Sequence, residues 1–276
     1  MVETLHRETT GIHDQKIGTR EAVIVAVSSQ KGGTAKTTTT IHLSAAIAEM
    51  GHPVLMVDLD PQGHLAEGFG IVSETLEYEL SDVLAGEKQI GDVIIRNIRP
   101  ELDLAPCNIR LADMELTLVN VRFREYKLKR ALEPLLRHYD YILLDCPPSL
   151  GLLTVNALMA AQHVIIPMTS EYLSMLGVSM LMKTVSLIKA EANPELNVLG
   201  VVHTRHKQRT IHARAVIARS KIELGDATKV FDVPINDSTR FAEASGQGKT
   251  VFEVAPEIQG AQAYRQIAQE IVYATQ

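Results

Sequence analysis

Short apolar runs rich in β-branched residues recur along the chain at 23–27, 54–58, 102–105, 141–144, 164–167, 198–202 and 230–233. Each is too brief for a helix and too continuous for a strand with one wet face, so strands buried on both faces are predicted. Longer segments of helical character lie between most of them. One of these, about 36–50, is closed by Gly51-His-Pro53 and leads into the run at 54–58, which completes a βαβ unit with an expected right-handed crossover. The alternation persists to the end of the chain without a linker-like break. It predicts a single doubly wound α/β domain, a mostly parallel sheet flanked by helices, spanning 22–276 after a flexible tail at 1–21 that has no apolar period. Ligand is expected at the carboxyl ends of the strands.

The first strand runs into Lys31-Gly-Gly-Thr-Ala-Lys-Thr-Thr-Thr and then into a helix. Strand, glycine-rich loop, Lys-Thr pair and helix arrive in the order of a phosphate-binding loop, which aims backbone N–H groups and a helix N-terminus at an anion. The predicted nucleotide-binding residues are Gly32, Gly33, Thr34, Ala35, Lys36, Thr37 and Thr38. Gly32 and Gly33 let the backbone approach phosphate, Lys36 neutralises it, and the Thr37 hydroxyl is a candidate Mg²⁺ ligand. Ala35 stands where such loops carry glycine, which is tolerable only if its φ is negative.

Two further strands end in carboxylates. Asp58 and Asp60 close the run at 54–58 two residues apart, so both are expected on one side near the phosphates, and Asp145 closes the run at 141–144 in the manner of a Walker B aspartate.

Composition narrows the setting. The net charge of −6 argues against a surface that coats nucleic acid, yet the stretch from His203 to Lys221 holds Arg205, Lys207, Arg209, Arg214, Arg219 and Lys221 and no acid. Residues 122–130 form a second basic cluster, interleaved with Phe123, Tyr126 and Leu128, which reads as an amphipathic helix with a basic outer face. Cys107 and Cys146 lack the spacing of a metal or redox pair and are expected to be buried, reduced thiols. No run reaches the roughly 18 apolar residues of a spanning helix, and no secretory signal is visible, so a cytoplasmic protein is expected.

Taken together, Lys31-Gly-Gly with Lys36-Thr37-Thr38, Val57-Asp-Leu-Asp-Pro-Gln-Gly63, Asp140-Tyr-Ile-Leu-Leu-Asp-Cys-Pro-Pro-Ser-Leu-Gly151 and Glu171-Tyr172 before a helix resemble the ParA/Soj partition ATPases, deviant Walker A P-loop NTPases of the MinD/ParA superfamily. Gln30 in place of the loop's first glycine is common there. The resemblance implies an Mg²⁺-dependent ATPase that forms a homodimer with two ATP molecules sandwiched at its interface. It implies non-specific binding to duplex DNA, association with the nucleoid, and hydrolysis stimulated by a ParB-like adaptor. By position, Lys31 is the lysine that reaches the partner's nucleotide. Asp60 orients the attacking water and contributes to the metal shell with Thr37 and Asp145. Arg209 and Arg240 align with DNA-binding arginines. Pro234 falls at the adenine-side loop, and His203-Thr204 stands where some members present asparagine to adenine.

Three other readings share the loop. A MinD-like membrane ATPase needs a basic amphipathic C-terminal helix, whereas 260–276 carries only Arg265 among small and polar residues and reads as a packing helix. An iron–sulfur carrier needs convergent thiolates. A ParA-like ATPase that positions another cargo, such as a carboxysome or a chemoreceptor array, differs only in its adaptor.

Overall fold

The computed structural model describes residues 20–207, 211–225 and 227–276. Seven strands form one sheet in the order β3-β4-β2-β5-β1-β6-β7. These are β1 (Val23–Val27), β2 (Val54–Asp58), β3 (Ile95–Arg99), β4 (Leu102–Ala105), β5 (Tyr141–Asp145), β6 (His163–Thr169) and β7 (Asn197–Thr204). Every pairing is parallel except β3 with β4.

The alternation of side chains explains why the strands read as continuous apolar runs. Ile24, Ala26, Leu55, Val57, Ile142 and Leu144 point into one core, while Val25, Val54, Met56, Tyr141 and Leu143 point into the other. The first core is covered by α3 (Leu80–Ala85), α6 (Lys127–Leu132), α7 (Leu152–Ala160), α8 (Tyr172–Glu191) and α9 (Ile211–Leu224). The second is covered by α1 (Lys36–Glu49), α11 (Val251–Val254) and α12 (Gln259–Thr275). The short helices α2 (His64–Glu67), α4 (Ile90–Val93), α5 (Met114–Thr117) and α10 (Thr239–Gly246) complete the element order.

Sequence and structure differ at several points. Residues 230–233 make a single bridge, Val230 to Val201, rather than a strand; Phe231 lies against Gly200, where a Cβ would sit 2.7 Å from its ring, and Pro234 follows. The antiparallel edge strand β3 escaped the sequence pattern because it is only partly buried and carries Arg96, Asn97 and Arg99 in place of an apolar run. The basic cluster at 122–130 is helical only from Arg124 onward, and Phe123 takes φ 57° and stays exposed instead of packing inward.

Helix α1 is held at its base by polar contacts inside an otherwise apolar layer. His42 donates from Nδ1 to the Thr38 carbonyl (2.7 Å) and accepts at Nε2 from the Val251 amide (3.0 Å), with Tyr264 stacked on its ring. Burial pushes His42 down to about 4, and it does the same to His203, which bonds through Nε2 to the Ser220 hydroxyl (2.7 Å).

The Ala35 expectation fails in an instructive way. Ala35 is the N-cap of α1, with φ 61° and ψ 38°, and its carbonyl accepts the Thr39 amide (2.9 Å). The turn that aims the first amides of α1 into the loop demands left-handed backbone here, and alanine adopts it at a cost of about 1–2 kcal/mol.

Two measurements check these points. Ala35→Gly is expected to raise stability by about 1 kcal/mol in urea unfolding, whereas an alanine with negative φ would give a loss. His42 and His203 stay neutral in the folded chain while the unfolded chain takes up protons. Their contribution is therefore full above about pH 6.5 and is lost as pH falls toward about 4. In His203→Gln the slope of stability between pH 4.5 and 6 is expected to shrink by about 1.4 kcal/mol per pH unit; an unchanged slope contradicts the assignment.

Candidate functional site

The loop between β1 and α1 lies at the carboxyl edge of the sheet, where β1 separates β5 from β6. Its floor is set by a long-range contact: the Thr204 hydroxyl at the end of β7 donates to the Thr34 carbonyl (2.8 Å). Thr34 is thereby buried beneath the loop, with its own hydroxyl on the Lys31 carbonyl (3.3 Å). Gly32, Gly33, Ala35, Lys36, Thr37 and Thr38 line a cleft of ≈ 490 Å³ that Asp60 also faces. Lys36 is buried, so its charge acts in a poorly hydrated place where electrostatic interactions are strengthened.

Behind this wall the carboxylates divide their labour. Asp145 is fully buried and accepts from the Thr37 hydroxyl (2.7 Å) and the Thr40 hydroxyl (3.0 Å). Burial pushes its carboxyl up to about 6, against the pull of these two hydroxyls and of Lys36. Asp58 stands beside it in register across β2 and β5, and is pushed up by burial and then by Asp145. The expectation that Asp58 joins Asp60 at the phosphates is not met. Asp58 is buried and spends its oxygens on the amides of Asp60 (3.0 Å) and Leu65 (3.1 Å), which fixes the turn carrying Asp60. Asp60 accepts from the Gln62 amide (3.2 Å), and its carbonyl takes the Cys107 thiol (2.9 Å).

This donor set fits Mg²⁺. A hydroxyl in the cleft, a carboxylate behind it with a raised proton affinity and a second carboxylate on the facing wall are oxygen ligands suited to a hard cation that keeps water and phosphate in its shell.

Lys31 is on the rim, in an ion pair with Glu171, the N-cap residue of α8. The Lys31 side chain is partly exposed, at 37%, and that of Glu171 largely so, at 63%. Arg205 reaches the same rim, with Nη1 3.4 Å from the Gly33 carbonyl.

A second chamber of ≈ 390 Å³ continues from the first, sharing Gly33, Ala35, Thr38, Phe241 and Ser245. Its far wall is Ile235, Asn236, Asp237 and Ser238, and Tyr264 contributes to its lining. Pro234 is not among the lining residues; its carbonyl accepts from Gln259 Nε2 (2.8 Å), which holds the loop that carries the wall. His203 points away, buried on Ser220, and Thr204 faces the loop. Of this chamber, sequence reasoning found only the loop residues Gly33, Ala35 and Thr38 and, on the far side, Thr204. Its walls come from β7, α10, α12 and the 235–238 loop, and no local pattern marks them.

Of the two predicted DNA-contacting arginines, Arg209 lies outside the described residues. Arg240 is exposed on α10, one residue into a helix capped by the Ser238 hydroxyl, with Nη1 2.6 Å from Glu243 Oε2. The acid-free basic run is not acid-free in space: Arg205 pairs with Asp237, Arg219 with Glu223 and Lys221 with Asp232.

Comparison with known proteins places this geometry. Residues 22–198 match the family model described as an AAA domain. The sporulation initiation inhibitor protein Soj of Bacillus subtilis is 41% identical over 248 residues, covering 90% of this chain and 97% of Soj. The chromosome partitioning protein ParA of Caulobacter vibrioides is 38% identical, covering 90% and 93%. A crystal structure named as cobyrinic acid a,c-diamide synthase from Mycobacterium smegmatis, with bound ATP analog and magnesium, superposes with a TM-score of 0.79 at 35% identity, covering 92% and 96%. With Lys36 and Asp60 lining the cleft, Asp145 bonded behind it to Thr37 and relatives at this identity over nine-tenths of its length, this chain belongs to the ParA/Soj family of deviant Walker A P-loop ATPases.

Proposed function

We propose that this chain binds and hydrolyses ATP with Mg²⁺, and that ATP drives a homodimer which holds duplex DNA without sequence preference until a ParB-like adaptor stimulates hydrolysis. The observation that carries the reading is the contrast between the two loop lysines. Lys36 lines the cleft of its own chain, while Lys31 stands on the exposed rim in a pair with Glu171. A rim lysine serves a nucleotide held across an interface better than one in its own cleft.

In this reading the triphosphate lies along Gly32 to Thr38 and the adenine side fills the second chamber. Lys36 neutralises charge on the transferred phosphoryl group, and Asp60, fixed by the turn that Asp58 braces, orients the attacking water. Mg²⁺, when bound through Thr37 with Asp145 and Asp60 supporting its shell, supplies further charge neutralisation. Lys31 from the partner adds positive charge at the same phosphates.

The rival readings lose support on the page. The buried face of α12, with Tyr264, Ile267, Ala268 and Ile271, is spent in the core beside α1. No helix among the described residues is long and apolar enough to cross a membrane. Cys107 and Cys146 are fully buried, and burial pushes both thiols up, so neither is presented as a thiolate to a cluster. The cargo follows from the adaptor, and a plasmid or chromosome is the reading the named relatives favour.

Two experiments test the proposal. Lys31→Ala is expected to keep ATP binding but stay monomeric by light scattering, whereas Lys36→Ala loses ATP binding; an ATP-bound dimer in Lys31→Ala refutes the trans role. Random duplex DNA followed by anisotropy is expected to bind only with ATP, with a salt slope of about −0.9 per phosphate neutralised. Arg209→Glu or Arg240→Glu should weaken that binding. Glu243→Gln should strengthen it by releasing Arg240; DNA affinity that ignores all three substitutions removes the assignment.

A further inference from the structure

Arg205 belongs by sequence to the basic run after His203, and its charge would be counted toward DNA. Its geometry gives it another task. The backbone leaves β7 at Arg205 with φ 50°, a left-handed conformation that arginine adopts only where the surroundings impose it. The guanidinium then spans the mouth of the second chamber. Nη1 lies 3.4 Å from the carbonyl of Gly33 on the loop wall, and Nε lies 3.7 Å from Asp237 Oδ1 on the opposite wall.

Both contacts are long for a guanidinium, whose good hydrogen bonds are about 2.7–3.1 Å, and the side chain is 57% exposed. A five-donor planar group is therefore lightly held over a cleft. Arg205 is the one lysine or arginine among the described residues lining this chamber, which also presents Phe241, Ala242 and Tyr264. The phosphate-neutralising lysine lines the neighbouring chamber instead.

Resting on the nucleotide-site reading above, we propose that Arg205 is a base-binding residue: its guanidinium lays a planar face on the nucleobase in the second chamber, oriented by Asp237. A guanidinium suits this place because it stacks on aromatic faces while its edge stays bonded to a carboxylate, which an ammonium cannot do. The arrangement closes the mouth of the chamber without a moving loop.

The test is calorimetry with ATP, ADP and inorganic triphosphate, each with Mg²⁺, on the full chain and on Arg205→Met, Arg205→Lys, Arg205→Tyr and Asp237→Asn. Stacking predicts that Arg205→Met weakens ATP and ADP equally, by about fivefold to tenfold, and leaves triphosphate unchanged. Lysine should not rescue, tyrosine should, and Asp237→Asn should give a smaller loss of the same pattern. Thermal unfolding confirms that each variant is folded. A loss that is greater for ATP than ADP, shared by triphosphate and rescued by lysine, overturns the proposal in favour of a phosphate contact. Equal affinities in every variant overturn it too, while leaving the nucleotide site standing. An unsubstituted protein that binds neither nucleotide overturns the nucleotide-site reading itself.

Discussion

The site depends on one buried carboxylate. Asp145 ends β5 in the middle of the sheet and takes both of its hydrogen bonds from α1, through Thr37 and Thr40. An isolated carboxylate there would be expensive, and the two hydroxyls with the charge of Lys36 offset much of that cost. The bonds lock the first turn of α1 against the sheet, which fixes the direction of the loop amides and forces Ala35 into its left-handed turn. The compensation is incomplete, since Asp145 remains pushed up to about 6 and Asp58 sits alongside it. On the proposed function, a cation at the Thr37 hydroxyl would complete that compensation.

The fold was legible where strands are buried on both faces, because such strands leave unbroken apolar runs whatever their neighbours. It was illegible where one face is wet or where a single contact replaces a ladder. Strand β3, with Arg96 and Asn97 between its isoleucines and Arg99 after them, carries no such run, and the segment at Val230 has the composition of a strand but makes a single bridge to β7. Alanine at 35 hid a positive φ that glycine would have announced. The conformation is imposed by the helix start, so composition alone gives no hint of it.

The candidate site divides along the same line. Its phosphate half is contiguous in sequence from Lys31 to Thr38, and a spacing pattern captures it. Its second half is assembled across the fold, as the bond from Thr204 to Thr34 shows, and the residues at 235–238, 241 and 264 share no motif. Charge is misleading for the same reason. The run from His203 to Lys221 contains no acid, yet Asp237 and Asp232 reach it from elsewhere and Glu223 follows one helical turn after Arg219. Linear charge density predicts a field only when the fold brings no counter-charge to it.

This spatial pairing bears on how the protein could switch. An exposed ion pair between a flexible lysine and a carboxylate contributes little stability, since water competes for both partners. Lys31 and Glu171 form such a pair on the rim, in reach of Arg205, which helps to hold the Glu171 carboxyl below its usual range after Lys31 itself. A triphosphate presents several charged oxygens in a drier place and is the stronger competitor for the lysine. In the proposed dimer, exchange of Lys31 from its own Glu171 to a facing nucleotide would therefore cost little in the free chain and gain much in the closed pair. On that proposal, nucleotide occupancy would govern association without any large rearrangement of the sheet.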